Sequence, residues 1–299
     1  MNCTKEEGLL LVEKFSKREF NKIQGIEFPY PIIEDTKCFS ECKSLLSKQL
    51  SNTCSSPIIR KFHKSMHYAN RMGRPSSYTY WQEIKNDFKE FKKFYYNRLT
   101  RSDWFKEKDN IKYLNRGEVP LDIYYCGLTT SGYAPLPSYF KPMFAKYLVN
   151  KYLSKYDTVF DPFSGYSGRM LGVLFSGKNY IGQDLNEVMI GESKEIYEFV
   201  KKQIDTWVSC KLDATDSIKS TGSYDCLLTC SPYGLIEQWG QKIKNYSCDE
   251  WIDICLDNFK CDRYVFITDN KISKYKKYIK ETMVNTSHWG KNLECVIVI

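Results

Sequence analysis

Val159-Phe160-Asp161-Pro162-Phe163-Ser164-Gly165-Tyr166-Ser167-Gly168-Arg169-Met170-Leu171-Gly172 is the stretch on which the fold turns. A short apolar run closes on Asp161 and Pro162, Gly165 and Gly168 follow, and a helical pattern begins at Gly168. Glycines at a strand-to-helix turn let the backbone pass close to a ligand and aim helix N-terminal N–H groups at it. Further on, Tyr180-Ile181-Gly182-Gln183-Asp184-Leu185-Asn186 ends a second apolar run in Asp184. There a carboxylate can accept both hydroxyls of a ribose. Asp184 also suits the N-cap of the helix that follows. Beside the glycine turn, ribose binding is the favoured reading.

Outward from this stretch, short apolar runs alternate with helical patterns. Strands are expected at Thr158-Val159-Phe160, Tyr180-Ile181-Gly182, Cys226 to Thr229, Tyr264 to Thr268 and Cys295 to Ile299. Helices are expected near Pro142–Leu153, Gly168–Phe175, Val188–Gln203, Asp249–Phe259 and Lys271–Glu281. Such alternation predicts an α/β fold with a mostly parallel sheet covered on both faces, whose ligands bind beyond the C-terminal ends of the strands. The first 125 residues read differently. Lys5–Phe20 is an amphipathic helix stopped by Phe28-Pro29-Tyr30-Pro31, and a second helix spans Phe39–Leu50. After the loop Asn70 to Pro75, Ser76 or Ser77 caps a long helix with Ile84, Phe88, Phe91, Tyr95 and Leu99 on its core side and Lys85, Lys89, Lys92, Lys93 and Arg98 outside. The division predicted is a mainly helical domain over 1–125 and an α/β domain over 126–299.

Charge separates the same two parts. Residues 1–125 hold 23 Lys and Arg against 16 Asp and Glu, whereas residues 126–299 hold 21 against 20. Within the first part, Arg60–Arg116 has 15 basic and 6 acidic residues, interleaved with Tyr68, Tyr78, Tyr80, Trp81, Tyr95, Tyr96 and Trp104. Basic residues neutralise phosphates and aromatic rings stack on bases, so this segment suits nucleic acid as well as it suits a solvated helix face. No apolar run of about 18 residues occurs, and Met1–Gly8 is charged without a signal-like apolar core, so a cytoplasmic protein with no membrane span is expected. The 12 cysteines are scattered with no Cys-x-x-Cys. They read as reduced thiols, and the isolated pairs Cys38/Cys42 and His63/His67 predict no metal site.

The ordered motifs resemble those of the S-adenosylmethionine-dependent DNA amino-methyltransferases. Asp161 to Arg169 is similar to their motif I, often Asp-Pro-Phe-x-Gly-x-Gly, and Tyr180 to Asn186 to motif II. Pro137-Ser138-Tyr139-Phe140-Lys141-Pro142-Met143-Phe144-Ala145-Lys146 is similar to motif X, and Asp213 falls where motif III serves the adenine. Asp225 to Gly234 resembles motif IV, with Cys230-Ser231-Pro232-Tyr233 in place of Asp, Asn or Ser followed by Pro-Pro-Tyr or Pro-Pro-Phe. Some phage-type relatives carry Cys-Pro-Pro-Tyr followed by an acidic residue and an aromatic, which Glu237 and Trp239 echo. The likeness covers residues 127–299 in the order X, I, II, III, IV.

The resemblance implies a Rossmann-like methyltransferase with a mostly parallel seven-stranded sheet. It implies S-adenosylmethionine held by Ser138, Pro142, Asp161, Pro162, Phe163, Gly165, Gly168, Asp184, Leu185 and Asp213. An exocyclic amine is a poor nucleophile until acceptors hold its N–H bonds. Cys230 and the carbonyl of Ser231 would supply them, and Tyr233 would stack on a flipped base. Ser231 departs from the family's first proline. The Pro-Cys context of cytosine-C5 enzymes is missing, so a covalent role for Cys230 is disfavoured. With no room for a recognition domain between Gly168 and Cys230, recognition falls to the basic first 125 residues, with Arg71, Arg74, Lys89, Lys92, Arg98 and Arg101 as expected phosphate contacts. The expected substrate is duplex DNA, methylated at adenine N6 or cytosine N4, with a restriction or specificity partner compatible. The alternatives are an RNA or tRNA base N-methyltransferase, since Pro-Tyr-Gly also ends motif IV in tRNA guanine-N2 enzymes, and a silent methyltransferase-like subunit that binds nucleic acid.

Overall fold

A computed structural model describes residues 5–47, 56–71, 74–101, 119–130, 134, 136–205, 207–230, 237–238, 246–269, 272–285 and 292–299. The first part of the chain forms helices α1 (Lys5–Gln24), α2 (Asp35–Leu46), α3 (Pro57–Phe62), α4 (Ser77–Asn86), α5 (Phe88–Arg101), α6 (Leu121–Thr130) and α7 (Pro142–Tyr152). Then strands and helices alternate: β1 (Thr158–Asp161), α8 (Gly168–Leu174), β2 (Asn179–Asp184), α9 (Glu187–Val200), β3 (Cys210–Ala214), β4 (Gly222–Cys230), α10 (Cys248–Asn258) and β5 (Phe259–Asp269). β6 (Ile279–Asn285) and β7 (Asn292–Val298) complete the sheet.

The strands form one seven-stranded sheet in the order β3-β2-β1-β4-β5-β7-β6. Every pairing among β1 to β5 is parallel, and β7 runs antiparallel to both of its neighbours. This is the predicted α/β Rossmann-like architecture. The central strands are buried on both faces, as parallel strands under helices require. Val159, Phe160, Cys226, Leu227, Leu228, Val265 and Ile267 are all solvent-free. Phe160 stacks on Tyr224 across β1 and β4 at a centroid distance of 3.7 Å and meets Phe259 edge-on at 4.9 Å.

A helix is expected over 271–281; the described part, 272–281, instead forms a short 3-10 turn at Lys276–Tyr278 and then enters β6. Ile272 and Tyr275 are both buried, and their three-residue spacing imitates a helix face. Lys280 lies on the edge strand, where charge blocks further strand pairing.

The chain divides into two compact units that differ from a single cut at residue 125. One comprises Met1–Ile32, Met66–Pro137 and Gln238–Gln241, and the other Ile33–Ser65, Ser138–Glu237 and Lys242–Ile299. The helical unit is built on Val12, Phe15, Ile23, Trp81, Ile84, Phe91, Phe94, Tyr95, Tyr124 and Leu128. Ser76 caps α4, its side chain accepting from the Thr79 N–H at 3.0 Å. The helix expected to run on past Trp81 breaks at Asp87, whose carboxylate accepts from the Lys89 N–H at 2.8 Å and starts α5 afresh.

Helices α2 and α3 belong with the sheet because their apolar faces pack there. Phe39 and Phe62 close on Phe199 of α9 at 5.2 and 5.3 Å, and Cys38, Cys42, Ile58 and Ile59 are buried. No disulfide joins the described cysteines, and burial pushes Cys38 up to about 11 and Cys42 up to about 12.

Candidate cofactor site

β1 has β2 on one side and β4 on the other, so the order of the sheet reverses between β1 and β4. In open α/β sheets the ligand crevice lies at such a switch point, beyond the carboxyl ends of the strands. The turn from Asp161 to Gly168 leaves β1 at that place, Asp184 ends β2 beside it, and β4 ends at Cys230 on the other side.

Asp161 is wholly buried and its carboxylate is saturated from within. Oδ2 accepts from Arg169 Nε at 2.7 Å and from the Tyr180 hydroxyl at 2.8 Å. Oδ1 accepts from the Thr229 hydroxyl at 2.8 Å and from the Phe163 N–H at 3.2 Å. One carboxylate thus ties β1, β2, β4 and α8 together. The Arg169 guanidinium also reaches the Phe163 carbonyl and lies 5.4 Å from the centroid of Phe140. Burial works against its charge, but Asp161, with Cys230 and Tyr180 in range, holds it above its ordinary value. A direct cofactor contact was expected of Asp161. With four donors around it and no exposure, its part is to build the loop.

Asp184 is different. Its Oδ2 accepts from the Gly165 N–H and its Oδ1 from the Asn186 N–H, both at 3.0 Å. Asn186 takes the N-cap of α9, accepting from Val188 and Met189 at 3.1 and 3.2 Å, so Asp184 is not the cap. Each carboxylate oxygen can take a second donor, so the carboxylate can hold the loop and still receive ligand hydroxyls. Burial pushes the carboxyl above its ordinary value, partly countered by the two backbone N–H groups.

The loop beside it is open at its first glycine. Gly165 has φ +54, and a β-carbon there would meet only the Phe163 carbonyl, at 3.8 Å. The Ser164 hydroxyl is buried with no partner among the described residues, while the Ser164 N–H donates to the Gln183 carbonyl at 2.8 Å. A carboxylate with spare acceptor capacity, an open glycine face and an orphan hydroxyl fit a nucleoside cofactor. Gly168 serves packing instead: a β-carbon there would stand 1.8 Å from the Phe140 carbonyl, so only glycine lets 138–142 lie against the loop. Ser138 in that segment is exposed and Pro142 is buried.

Of the other expected cofactor residues, Pro162 is buried with its carbonyl held by the Ser217 hydroxyl. Phe163 meets Trp251 edge-on at 4.9 Å, and Leu185 is 42% exposed just beyond Asp184. Asp213 is not brought beside Asp184. It is in register with Gln183 and shares that residue's sheet face, opposite to Asp184, and it pairs with Lys211 at 3.2 Å. Cys230 is half-buried at the end of β4; Ser231, Pro232, Tyr233 and Trp239 lie outside the described residues, as does the side chain of Glu237.

Among the expected phosphate contacts, Arg74 and Lys89 are exposed, and Lys92 reaches Glu13 at 3.4 Å. The side chains of Arg71, Arg98 and Arg101 lie outside the described residues. Lys85, expected to face solvent, is turned back onto the Ile26 carbonyl at 2.6 Å. Tyr30, Tyr68 and Tyr78 form one aromatic surface: the hydroxyls of Tyr30 and Tyr68 meet at 2.8 Å, and the rings of Tyr68 and Tyr78 at 4.6 Å. Tyr68 is 53% exposed.

Sequence reasoning missed the groups behind the loop, Ser167 with His63, Glu192 and Ser193. His63 and His67 were paired by spacing, yet His67 bonds Ser77 at 3.1 Å while His63 bonds Glu192 and Ser167. No group of three or more metal-ligating side chains that could hold an ion occurs among the described residues, and no helix among them is long and apolar enough to cross a membrane.

No family model matches the chain, and no curated protein matches it. Solved structures with a similar fold include a magnesium protoporphyrin IX methyltransferase from Synechocystis with bound SAM, 13% identical, covering 68% of this chain and 95% of that one at a TM-score of 0.39. A putative RNA methyltransferase from Pyrococcus horikoshii is 11% identical, covering 52% and 81% at 0.39. TrmN from Thermus thermophilus is 17% identical, covering 52% and 48% at 0.38.

Proposed function

We propose that this chain is an S-adenosylmethionine-dependent methyltransferase that acts on the exocyclic amine of a base in DNA, adenine N6 or cytosine N4. The observation that carries the reading is the pairing of Asp184 with the open face of Gly165 at the switch point, next to a β4 that runs directly into Ser231-Pro232-Tyr233. The cofactor, when bound, supplies an electrophilic methyl group.

The chain's own residues would do the rest. Asp184 would accept the ribose hydroxyls while keeping its bond to the Gly165 N–H. Leu185 would offer its exposed side chain to the adenine. Ser164 and the segment 138–142 would bound the methionine end. Cys230 and the Ser231 carbonyl would accept the N–H bonds of the target amine, and a thiol is a weak acceptor, so the carbonyl would carry more of that task. Tyr233 would stack on the extruded base. No covalent nucleophile is required. The helical unit would meet the phosphates, with Arg74 and Lys89 exposed for that purpose and Tyr68 open to stacking.

The test is incubation with labelled S-adenosylmethionine and, separately, unmethylated duplex DNA, single-stranded DNA and total tRNA, followed by digestion and mass spectrometry of the nucleosides. N6-methyladenine or N4-methylcytosine in duplex DNA is the expected result. Label only in tRNA would replace DNA by RNA as the substrate, and no label with cofactor binding intact would favour a silent subunit. Tyr233→Ala should abolish transfer; wild-type turnover in that variant would remove the motif IV assignment.

A further inference from the structure

The glycine loop contains a residue that steric rules disfavour. Ser167 has φ +62, the only positive φ among the described non-glycine residues, and it stands where the resembling motif has its second glycine. As N-cap of α8 it would normally turn its hydroxyl to the helix N–H groups, but no such bond forms. The side chain points backward instead. Ser167 Oγ lies 2.8 Å from His63 Nε2 and 2.7 Å from Ser193 Oγ, and His63 Nδ1 lies 2.9 Å from Glu192 Oε2. Glu192 also accepts from the Ser65 N–H at 2.8 Å and from the Ser65 hydroxyl.

A carboxylate can only accept, so Nδ1 carries a proton toward Glu192; in the neutral ring Nε2 accepts from Ser167, which leaves Ser193 to donate to Ser167. Burial pushes the Glu192 carboxyl up, but the bonds from His63 and Ser65 outweigh it and hold it below its ordinary value, consistent with a carboxylate at the head of the chain. His63 and Ser167 are 0% and 1% exposed, so the array faces no substrate. With its serine and histidine both closed to solvent, this array is a clamp, not a nucleophile.

We infer that His63, oriented by Glu192, is a positioning residue for the cofactor loop: its hydrogen bond holds Ser167 in the left-handed conformation that glycine adopts freely, and so keeps Gly165 and Ser164 in the geometry that faces the ligand. The inference rests on the cofactor reading above for its consequence, and on the loop geometry alone for its cause. A structural segment from the first 65 residues thereby becomes part of the site.

The experiment is a double-mutant cycle of His63→Leu with Ser167→Gly, read by calorimetric titration with S-adenosylmethionine and by thermal unfolding of the ligand-free protein. His63→Leu should weaken cofactor binding about tenfold or more in the Ser167 protein, raising KM for the cofactor more than it lowers kcat. In the Ser167→Gly background the same change should alter affinity less than about twofold, because glycine needs no clamp. The drop in Tm caused by His63→Leu should likewise be smaller in that background. Equal losses in both backgrounds would overturn the inference, since a packing role alone does not depend on residue 167. If the wild type bound no S-adenosylmethionine, the cofactor reading would fail, while the unfolding cycle would still decide the clamp. Should His63→Leu not fold, Glu192→Gln, which keeps the shape and removes the orienting charge, carries the same cycle.

Discussion

Asp161 and Asp184 end neighbouring strands and perform different tasks. Asp161 neutralises a buried Arg169 and receives three further hydrogen bonds. Removing one member of a buried pair leaves the other uncompensated, so Asp161→Ala should cost about 3–5 kcal/mol of stability, seen as a lower urea midpoint without any ligand. Asp184→Ala should instead act on binding: the Kd for S-adenosylmethionine, measured by calorimetry, should rise about tenfold or more, with a smaller effect on unfolding. Glu192 permits a pH test. Its folded pKa is depressed, so its stabilisation is complete above the unfolded value of about 4.3 and is lost as pH falls through the lower folded value. The stability gap between wild type and Glu192→Gln should therefore be full at pH 7 and close as pH drops below about 4.3, in a series of urea titrations.

Among the elements, α7 and α8 approach closely because Gly172 has no side chain. A β-carbon there would stand 2.4 Å from that of Ala145 and 2.6 Å from the Pro142 carbonyl. Gly172→Ala should force the two helices apart and destabilise by about 1–3 kcal/mol in chemical denaturation. α10 begins with a reciprocal cap, the Ser247 side chain accepting from the Glu250 N–H at 3.2 Å and Glu250 accepting from the Ser247 N–H at 2.6 Å. These elements were legible because local signals and tertiary demands agree: Pro142 opens α7, Ser76 caps α4, and apolar residues on α4 and α5 recur at helical spacing. β6 was not legible, since an edge strand has one partner and tolerates lysines that mimic a helix face. The Asp87 break between α4 and α5 was hidden for the opposite reason, because the apolar period continues across it.

For the whole molecule, the basic excess of the first 125 residues becomes a smaller resource than its count. Lys22 and Lys85 are turned onto the carbonyls of Val119 and Ile26 at 2.9 and 2.6 Å, while Arg74 and Lys89 lie at the surface. If these two meet phosphates, Arg74→Gln and Lys89→Gln should each weaken nucleic-acid binding and reduce the salt slope by about one, with cofactor affinity unchanged, as measured by anisotropy over a salt series. By itself the sequence determined the alternating core of the sheet, the turn after β1 and a carboxylate, Asp184, at the end of β2, because strand periodicity, glycine and a strand-end acid are local signals. Only the tertiary structure decided that α2 and α3 pack with the sheet, that Asp161 faces inward, that Asp213 lies on the opposite face from Asp184, and that His63 reaches Ser167. Those outcomes depend on which side chains meet across distant segments, and a buried charge or a left-handed serine is tolerated only where such partners arrive.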